Sequence, residues 1–399
     1  MSGAVDATAK ESLDLQLARP LTPLKAMSDS HLRELLQTAH IEMMFRGQTL
    51  FEAGDYDRQY IYLLHGDMEL IDSKAQATLQ KGRASLLPLA HHQPRAHTAK
   101  ALTDCSVLRL NSEQVDQMLA WSQIAEYLLL DIAYQRDLDE DVAWINTVLR
   151  SNLFFKVPPI NVEEIFSCLE SVEVRAGEVI LRQGELGDCC YFIKEGEAEV
   201  SRFEEGASRP VHVADITVGR CFGEDALVNE AVRNATVTMC SDGVLMRLAK
   251  QDFIRLLKQP DIEPMSQQHW LQAVAPGVSA CLSDPIAGRA EVTRDVLPPW
   301  VIIDLRTEEE YATGHLRCAV NIPLNLLRIK TRLLNRQSSY LLYCDTGLRS
   351  EAAAHLLNRQ GFEAKALDGG LNALEPIHYD SQITLQDYVL RDGVVFQGQ

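Results

Sequence analysis

The sequence predicts a multidomain protein in which two small all-β rolls with flanking helices precede an α/β domain with a parallel sheet. Three observations predict this fold class: a repeated glycine spacing, alternating apolar and polar runs between the glycines, and a C-terminal change to apolar strands that alternate with helical segments. A chain of 399 residues is long enough for two or three domains that each bury a core.

An internal repeat organises the first two thirds of the chain. Two sets of glycines share the same successive spacings of seven and twelve residues: Gly47, Gly54 and Gly66, then Gly177, Gly184 and Gly196. The short alternating runs between them indicate antiparallel strands joined by tight turns, where glycine tolerates positive φ. Such strands build a small roll, also described as a double-stranded β-helix or jelly roll. We therefore predict one domain at 20–148 and its repeat at 150–260.

Residues 222–237 of the second copy carry the groups that a sugar phosphate needs. Glu224 offers a carboxylate for ribose hydroxyls, the small residues after it offer backbone N–H groups, and Arg233 offers a guanidinium fork for phosphate oxygens. This stretch resembles the phosphate-binding cassette of cyclic nucleotide-binding domains. The resemblance implies cAMP or cGMP as a ligand, with no covalently bound cofactor and no metal. The matching residues are Gly223, Glu224, Asp225, Ala226, Leu227, Arg233, Asn234 and Ala235.

Two residues of this cassette depart from the family pattern. Asp225 adds a negative charge near the phosphate pocket, where a neutral residue is more usual. In relatives, a small apolar residue at the position of Asn234 accompanies cAMP and a hydroxyl residue accompanies cGMP. The amide of Asn234 can donate to either base or to a phosphate oxygen, so the preferred base stays open. The alternative to a ligand site is a roll that keeps the motif without binding.

The first copy differs from the second in its chemistry. Arg95 occupies the position of Arg233, but the same spacing back along the chain places Leu86 where the carboxylate of Glu224 stands. We therefore predict that the first copy binds no cyclic nucleotide. Arg95 then either holds another anion or forms an ion pair at the surface.

Helical segments are predicted beside each roll. Apolar residues have helical spacing over 112–150, with Ser112 or Asn111 as the cap, and again over 248–257. In the family that the rolls resemble, such helices move when ligand binds. Packing on the roll and a switching role both stay open for these two segments.

The character of the chain changes after Leu257, where the prolines of 259–264 indicate a linker. Four apolar runs then alternate with two helical segments, which predicts a parallel α/β sheet with its site at the carboxyl ends of the strands. We predict this domain at 275–380. The runs are 301–305, 320–323, 340–344 and 364–367, and the helices are 307–311, capped by Thr307, and 350–357.

The loop from Cys344 to Ser350 carries the candidate nucleophile. A thiol between a strand and a helix start faces backbone N–H groups and the positive end of the helix dipole, which predicts a lowered thiol pKa. This chemistry suits attack on a sulfane sulfur to give a Cys344 persulfide, whose outer sulfur passes to a second nucleophile. The amides expected around the sulfur belong to Asp345, Thr346, Gly347, Leu348 and Ser350.

Six short motifs, in order and spacing, resemble the rhodanese family of single-domain sulfurtransferases. The resemblance implies that Cys344 forms the persulfide, that Arg349 borders the pocket, and that Asp304 supports the loop from a neighbouring strand. Asp345 stands where many relatives have a basic residue, which argues against dianionic thiosulfate as the donor. The motifs are Asp304–Arg306, Glu310–Tyr311, Gly314–His315, Asn321–Pro323, Cys344–Arg349 and Leu367–Leu371.

The sequence allows two other interpretations of Cys344. Phosphatases and arsenate reductases also place a cysteine and an arginine around an amide-lined loop, but they have one more residue between the two. The four residues between Cys344 and Arg349 make a smaller pocket, sized for a transferable sulfur. The second interpretation is an ordinary reduced thiol in a module that binds a partner.

Composition limits the partners that we expect. The net charge of −18 argues against nucleic acid, and no apolar run approaches the length of a membrane span. Nine cysteines without disulfide or zinc spacing indicate reduced thiols in the cytoplasm. The expected partners are a cyclic mononucleotide, a sulfur donor and a thiol or other nucleophilic acceptor, and a homodimer stays open.

The motifs together predict a cyclic-nucleotide-responsive sulfurtransferase. The link between the nucleotide and Cys344 rests only on their presence in one chain. The alternative is a non-catalytic, cyclic-nucleotide-sensing adaptor that uses the C-terminal domain to bind a partner.

Overall fold

Each copy of the glycine repeat folds into two antiparallel sheets in the computed structural model of the protein. The chain divides into two compact units, residues 1–123 with 262–399, and residues 124–261. Most of the predicted linker at 259–264 and the start of the third predicted domain, 275–299, lie outside the described residues. The structure describes residues 15–72, 76–82, 86–134, 144–145, 147–149, 157–204, 209–258, 264–266, 269, 300–374, 383–385, 388–391 and 394–397.

The first roll has one sheet of three strands and one of four. Alternation builds these strands: Met68 and Leu70 are buried, whereas Asp67 and Glu69 between them are partly exposed. The strands are β1 (His40–Met44), β2 (Thr49–Phe51), β3 (Gln59–His65), β4 (Asp67–Asp72), β5 (Ala77–Lys81), β6 (His97–Ala101) and β7 (Cys105–Asn111).

Helices α1 (Asp29–Gln37) and α2 (Ser112–Tyr134) pack on the first roll. Helix α1 begins after Ser28, whose hydroxyl accepts from the His31 N–H. Helix α2 follows β7 directly, and the Asn111 side chain caps it by accepting from the Gln114 N–H at 3.0 Å. Apolar residues of both helices share a core cluster with β3 and β7: Leu32, Leu35, Val115 and Leu119 with Tyr60, Tyr62, Leu108 and Leu110.

The second roll repeats the first, with two sheets of four strands. The Gly47 N–H donates to the Ala101 carbonyl at 2.7 Å, and the Gly177 N–H donates to the Met239 carbonyl at 2.8 Å. Both glycines have positive φ, as the repeat predicts. The strands are β8 (Glu170–Val174), β9 (Val179–Leu181), β10 (Cys189–Glu195), β11 (Ala198–Arg202), β12 (Val211–Ile216), β13 (Cys221–Phe222), β14 (Thr236–Met239) and β15 (Gly243–Ala249).

Helices that accompany the second roll include α3 (Val162–Ser167), α4 (Glu224–Val228) and α5 (Lys250–Leu257). The helix predicted at 248–257 begins two residues later, because Leu248 still pairs with Cys190 in the β-ladder. The Asn161 side chain donates to the Leu256 and Lys258 carbonyls at 2.8 Å each and so satisfies the end of α5.

The C-terminal domain has a parallel sheet, as predicted. Its strands lie in the order β18-β16-β19-β20, so β16 and β19 are central and fully apolar apart from their ends. Two further antiparallel pairs, β17 with β21 and β22 with β23, were not predicted. The strands are β16 (Val301–Asp304), β17 (His315–Leu316), β18 (Ala319–Asn321), β19 (Ser339–Tyr343), β20 (Glu363–Ala366), β21 (Ile383–Thr384), β22 (Tyr388–Arg391) and β23 (Val394–Gln397).

Of the helices of this domain, the first begins after its predicted cap Thr307, the last begins at Leu348, two residues before the predicted start at Ser350, and the one between them was not predicted. They are α6 (Glu308–Ala312), α7 (Leu327–Lys330) and α8 (Leu348–Arg359). Thr307 and Glu310 form a capping box at the start of α6, and α8 ends before Gly361, which has φ +81°. Among the described residues, no helix is long and apolar enough to cross a membrane.

Candidate functional site

The second roll presents its predicted anion site at α4. Gly223 precedes the helix with φ +88°, and a Cβ there would lie 2.9 Å from Arg233 Nη1. Glycine is therefore needed for both the backbone conformation and the close approach of the arginine. Glu224 is half-buried and Asp225 is exposed, whereas Ala226 and Leu227 are buried in the roll.

The Arg233 guanidinium ties the two ends of this segment together. It is 4% exposed and donates from Nη1 to the Gly223 carbonyl and from Nη2 to the Cys189 carbonyl, both at 2.7 Å. Asp188 Oδ1 lies 3.4 Å from Nη2. Asn234 follows on the exposed side and Ala235 is half-buried. The structure therefore brings all eight predicted residues into one local segment.

An apolar rim beside Arg233 was missed by sequence reasoning. Leu186 and Val232 pair across an isolated antiparallel bridge and are 80% and 50% exposed. Exposed apolar side chains next to a polar cassette offer a surface on which a nucleobase can lie. The position of Val232 directly before Arg233 was a usable signal, but Leu186 reaches the rim only through the strand pairing.

The first roll uses its equivalent arginine differently. The Arg95 N–H donates to the Asp55 carbonyl at 2.8 Å, as the Arg233 N–H donates to the Glu185 carbonyl at 2.8 Å, so the two positions match. Residues 86–96 contain no helix, whereas the second roll has α4 before its arginine.

Both Nη atoms of the Arg95 guanidinium donate hydrogen bonds to partners inside the roll. Its Nη2 donates to Asp57 Oδ1 at 2.8 Å and to the Gln59 carbonyl at 2.7 Å, and Nη1 donates to two further carbonyls. Of the two fates left open for Arg95, this is the ion pair, with the arginine buried rather than at the surface. Leu86 is exposed, and its carbonyl accepts from the Thr22 N–H at 2.8 Å.

The Cys344 thiol lies at the carboxyl end of β19, directly before α8. Gly347, with φ +99°, turns the chain so that its N–H donates to Cys344 Sγ at 3.1 Å. The Ser350 hydroxyl donates to the Gly347 carbonyl at 2.8 Å and lies 3.8 Å from Sγ. Of the predicted loop groups, the Gly347 N–H donates to the sulfur and the Ser350 hydroxyl lies near it, and Cys344 itself is fully buried.

A second wall packs against this loop from residues 369–372. The Leu371 N–H donates to the Cys344 carbonyl and the Asn372 N–H donates to the Asp345 carbonyl, each at 2.9 Å. A Cβ on Gly370 would lie 2.3 Å from the Cys344 carbonyl oxygen. The Leu367–Leu371 motif therefore holds the backbone of the cysteine loop.

Asp304 reaches the loop through an arginine whose role was not predicted. Arg306 Nη2 pairs with Asp304 Oδ2 at 2.8 Å, and Nη1 lies 3.2 Å from Asp345 Oδ1. All three side chains are buried. Burial alone would raise the pKa of Asp345, but Arg306 acts together with His91, Arg349 and His92 to hold this pKa below its usual range.

Arg349, expected at the border of a pocket, is fully buried. Its Nη1 and Nη2 donate to the two carboxylate oxygens of Glu310 at 3.0 Å each. Glu310 also accepts from the Thr307 N–H at 2.7 Å. The capping box of α6 therefore orients the arginine that follows Cys344.

The first roll contributes a carboxylate to the thiol. Asp116 of α2 accepts the Thr346 hydroxyl, forms an ion pair with Arg349 Nε, and lies 3.4 Å from Cys344 Sγ. Tyr60 of β3 donates its hydroxyl to Asp345 Oδ2 at 2.8 Å. Both side chains are buried.

These surroundings reverse the expected thiol chemistry. Burial and then the Asp116 carboxylate raise the pKa of Cys344 to about 12, against the opposing effect of Arg349. The prediction of a lowered pKa is therefore wrong for this arrangement. It considered the loop amides and the helix dipole, which favour the thiolate, but not a cover that removes water and adds a negative charge.

Family models match three segments of the chain. The cyclic nucleotide-binding domain model matches residues 44–121 and 171–260, and the rhodanese-like domain model matches 291–375. The chain contains two cyclic nucleotide-binding domains and one rhodanese-like domain. The predicted resemblances and the predicted fold class are both confirmed.

Curated relatives match the part of the chain that holds the cyclic nucleotide-binding domains. A cAMP-dependent protein kinase regulatory subunit of Eremothecium gossypii is 28% identical over 219 residues, which are 54% of this chain and 43% of that protein. A cGMP-dependent protein kinase of Caenorhabditis briggsae is 24% identical over 243 residues, 60% of this chain and 30% of that protein. The chain thus spans less than half the length of these two relatives.

Solved structures include the regulatory domain of Toxoplasma gondii PKA in a co-crystal with cAMP. It is 19% identical, covers 62% of this chain and 92% of that chain, and has a TM-score of 0.27.

Asp116 and Tyr60 of the first cyclic nucleotide-binding domain were not predicted as neighbours of the cysteine loop. Asp116 lies 228 positions before Cys344 and next to Val115, one of the apolar residues that predicted the helix. No local pattern marks such a residue, because its partner belongs to a different domain. Arg306 could have been predicted from the sequence, because it belongs to the Asp304–Arg306 motif.

Proposed function

We propose that the rhodanese-like domain transfers sulfane sulfur through a persulfide on Cys344, under the control of a cyclic nucleotide bound by the second cyclic nucleotide-binding domain. The observation that carries the first part is the Gly347 N–H, which donates to Cys344 Sγ at 3.1 Å. A backbone donor aimed at sulfur stabilises the negative charge of a thiolate or a persulfide.

The reaction proposed for Cys344 balances without an added oxidant or reductant. The Cys344 thiol loses its proton, and the thiolate attacks the outer sulfur of a donor. A new S–S bond to Cys344 forms as the S–S bond of the donor breaks, and the leaving group departs with the electron pair. A nucleophilic acceptor then attacks the outer sulfur of the Cys344 persulfide, which releases the Cys344 thiolate.

Neighbouring charges support this chemistry and bear on the donor. Arg349 opposes the rise in the pKa of Cys344 that burial and Asp116 cause, and its guanidinium balances the negative charge of a persulfide. Asp345 is paired with Arg306 and Tyr60. Because that pairing offsets the negative charge of Asp345, this residue repels dianionic thiosulfate less than the sequence alone suggests. We therefore include thiosulfate among the donors to be tested.

The nucleotide is assigned to the second domain because that domain alone combines Glu224, the short helix α4 and an arginine that closes the cassette. Arg233 ties Gly223 to β10, whereas Arg95 of the first domain is held by Asp57. The kinase regulatory subunit among the relatives is named for its dependence on cAMP, which supports a cyclic nucleotide ligand. We leave cAMP and cGMP as equal candidates.

The route of control that we propose is helix α2. The chain passes from one compact unit to the other within this helix, between Gln123 and Ile124. The same helix carries Asp116, which contacts Cys344. A change in the helix on nucleotide binding therefore reaches Asp116 along one continuous helix, and reaches the thiol through the contact between Asp116 and Cys344.

Sulfur loading of the full chain tests the transfer. After incubation with thiosulfate and with a low-molecular-weight persulfide, we expect peptide mass spectrometry to find added sulfur on Cys344. The Cys344→Ser variant should lose it, and Cys318→Ser, which removes another buried cysteine of the same domain, should keep it. Loading of other cysteines without Cys344 would contradict the enzyme proposal.

Calorimetry with cAMP and cGMP tests the ligand site. Glu224→Gln removes one charge at constant size, so we expect binding to weaken by about tenfold or more through the lost charge-assisted hydrogen bonds. Asp225→Asn makes the same chemical change on the same helix but should keep or raise affinity, because its side chain is exposed and its loss removes a negative charge from near the phosphate pocket. Arg95→Ala should also retain it. Equal affinity in Glu224→Gln and the unaltered protein would refute the assignment.

One observation favours the alternative of a non-catalytic adaptor. Cys344 is fully buried and its pKa is raised, which are properties of an inert thiol. In that case the rhodanese-like domain binds a partner and the nucleotide controls the binding. The sulfur-loading experiment separates the two functions, because an adaptor needs no sulfur on Cys344.

We also propose a cytoplasmic location. The cysteines that the structure describes are all free thiols, as expected in a reducing compartment. A sulfur acceptor with a thiol or another nucleophile, and a homodimer, remain predictions that solution measurements must test.

A further inference from the structure

The first cyclic nucleotide-binding domain covers the cysteine loop of the rhodanese-like domain with several side chains. Asp116 and Tyr60 reach the loop itself, as described above. At the edge of this surface, the Tyr56 hydroxyl donates to the Asn372 carbonyl at 3.1 Å, and Lys25 Nζ lies 2.5 Å from Glu309 Oε1. The first domain and the rhodanese-like domain belong to the same compact unit, so these contacts lie within one body.

The contacts of Asp116 are those that an anionic substrate would make. Its carboxylate accepts the Thr346 hydroxyl, pairs with Arg349 Nε, and lies 3.4 Å from the sulfur that must react. A hydroxyl donor and a guanidinium beside a nucleophile are the groups that bind the negatively charged end of a donor. While Asp116 holds them, no donor can reach Cys344, whose exposed fraction is 0%.

The region of the first domain that corresponds to the nucleotide cassette packs against Tyr60, whose hydroxyl contacts the same loop. His91 packs edge-on against Tyr60, with 5.8 Å between ring centroids. Burial lowers the pKa of His91, with Asp345 of the rhodanese-like domain acting on it in the opposite sense. The segment that binds nucleotide in the second domain is therefore part of the cover in the first.

The buried cluster beneath this cover holds more negative than positive side chains. Among the described residues of the buried cluster, four carboxylates face two guanidinium groups. Burying charges costs several kcal/mol for each ion unless partners offset it, and an excess carboxylate is only partly offset. The rhodanese-like domain supplies three of these carboxylates and both arginines, so Asp116 is the one charge that leaves when the cover opens. The members are Asp116, Asp304, Glu310 and Asp345, with Arg306 and Arg349.

We propose that the first cyclic nucleotide-binding domain is an intramolecular inhibitor of the rhodanese-like domain, and that its Asp116 carboxylate occupies the binding position of the anionic sulfur donor. This inference deepens the proposed function and rests on it for the identity of the donor. It gives the domain that lacks the ribose carboxylate a function of its own. Opening of the cover exposes Cys344, frees Thr346 and Arg349 for the donor, and removes a negative charge from beside the thiol.

The test compares thiol modification in full-length variants. Asp116→Asn removes the charge at constant size, and Asp116→Lys places a cation against Arg349. Because breaking a buried ion pair costs several kcal/mol, we expect Cys344 alkylation to accelerate about tenfold or more in both variants. Glu113→Gln and Glu113→Lys, one turn earlier on α2 in an exposed ion pair with Arg58, are matched controls and should react like the unaltered chain.

Two reagents separate opening from a change in thiol acidity. Small iodoacetamide reports both effects, whereas a bulky maleimide conjugate reaches Cys344 only when the cover has moved. We expect both reagents to accelerate in the Asp116 variants, with peptide mapping to locate the label. Acceleration with iodoacetamide alone, equal acceleration in the Glu113 variants, or no acceleration at all would overturn the proposal.

The experiment keeps the inference distinct from the proposed function. Faster labelling of Cys344 without sulfur loading in any variant would support the cover and refute sulfur transfer. Sulfur loading at equal rates in Asp116→Asn and the unaltered chain would refute the cover and support transfer. If Asp116→Lys does not fold, Asp116→Asn decides the result, because its side chain keeps the size and shape of the original.

Discussion

The neighbours of Cys344 shift its thiol pKa in two opposite directions. The residues next to it in sequence favour a thiolate: the Gly347 N–H donates to the sulfur, and Arg349 opposes the rise in its pKa. Burial and Asp116 act in the other direction and outweigh them. The sequence could predict the first set, because loop and helix start are local. The second set depends on a domain that begins more than 200 residues earlier.

A pH dependence of stability follows from the raised pKa of Cys344. Asp116, Arg349 and Asp345 face this thiol. Because folding raises the pKa of Cys344, the protonated thiol contributes its full stabilisation of the folded chain below the ordinary thiol pKa of about 8.5. This contribution is lost as the pH rises from there through the folded pKa. That folded value is about 12.

Denaturant unfolding at pH 7 and pH 10 measures this contribution. The unaltered chain should lose about 2 kcal/mol more unfolding free energy over this interval than Cys344→Ala, as linkage requires for a pKa raised beyond pH 10. Other groups titrate in both proteins and cancel in the comparison. The same loss in both proteins would mean that Cys344 is not covered in solution.

At the scale of elements, the sequence predicted most of what the structure contains. The glycine repeat predicted both rolls, because tight turns with positive φ leave a local trace. The capping box at Thr307 and the stop at Gly361 marked two helices of the rhodanese-like domain for the same reason. The pairs β17–β21 and β22–β23 were not predicted, since short edge strands have little periodicity.

Gly370 belongs to the element that supports the cysteine loop. A Cβ at this position would lie 2.3 Å from the Cys344 carbonyl oxygen and 2.7 Å from that of Asp345, both of them backbone atoms. At Gly361, which also has positive φ, the nearest atom is Arg336 Nη1 at 2.8 Å, the end of a flexible side chain. A side chain at either position would be strained by the positive φ, but only at Gly370 would its Cβ also overlap backbone atoms.

We expect Gly370→Ala to destabilise the chain by about 1–3 kcal/mol more than Gly361→Ala, because backbone overlap forces the loop to move. Chemical denaturation of both variants measures the difference. Sulfur loading of Cys344 should also fall in Gly370→Ala and persist in Gly361→Ala. Equal stability of the two variants would show that the wall does not hold the loop.

At the scale of the whole molecule, the first cyclic nucleotide-binding domain combines an incomplete nucleotide cassette with a surface that contacts the rhodanese-like domain. Leu86 at the ribose position and the ion pair of Arg95 with Asp57 remove the features of a receptor. What it gains is a surface that meets the rhodanese-like domain through Asp116 and Tyr60. In the sequence, the second cyclic nucleotide-binding domain directly precedes the rhodanese-like domain. Sequence order therefore gives no sign that the first domain contacts the rhodanese-like domain in the folded chain.

The most direct test of this account is the rate of sulfur loading on Cys344, followed by peptide mass spectrometry in the unaltered full chain and in Asp116→Asn. We expect sulfur on Cys344 in both proteins, with loading about tenfold or more faster in the variant, because the buried pair with Arg349 no longer holds the cover. Sulfur that never reaches Cys344 in either protein would contradict the account.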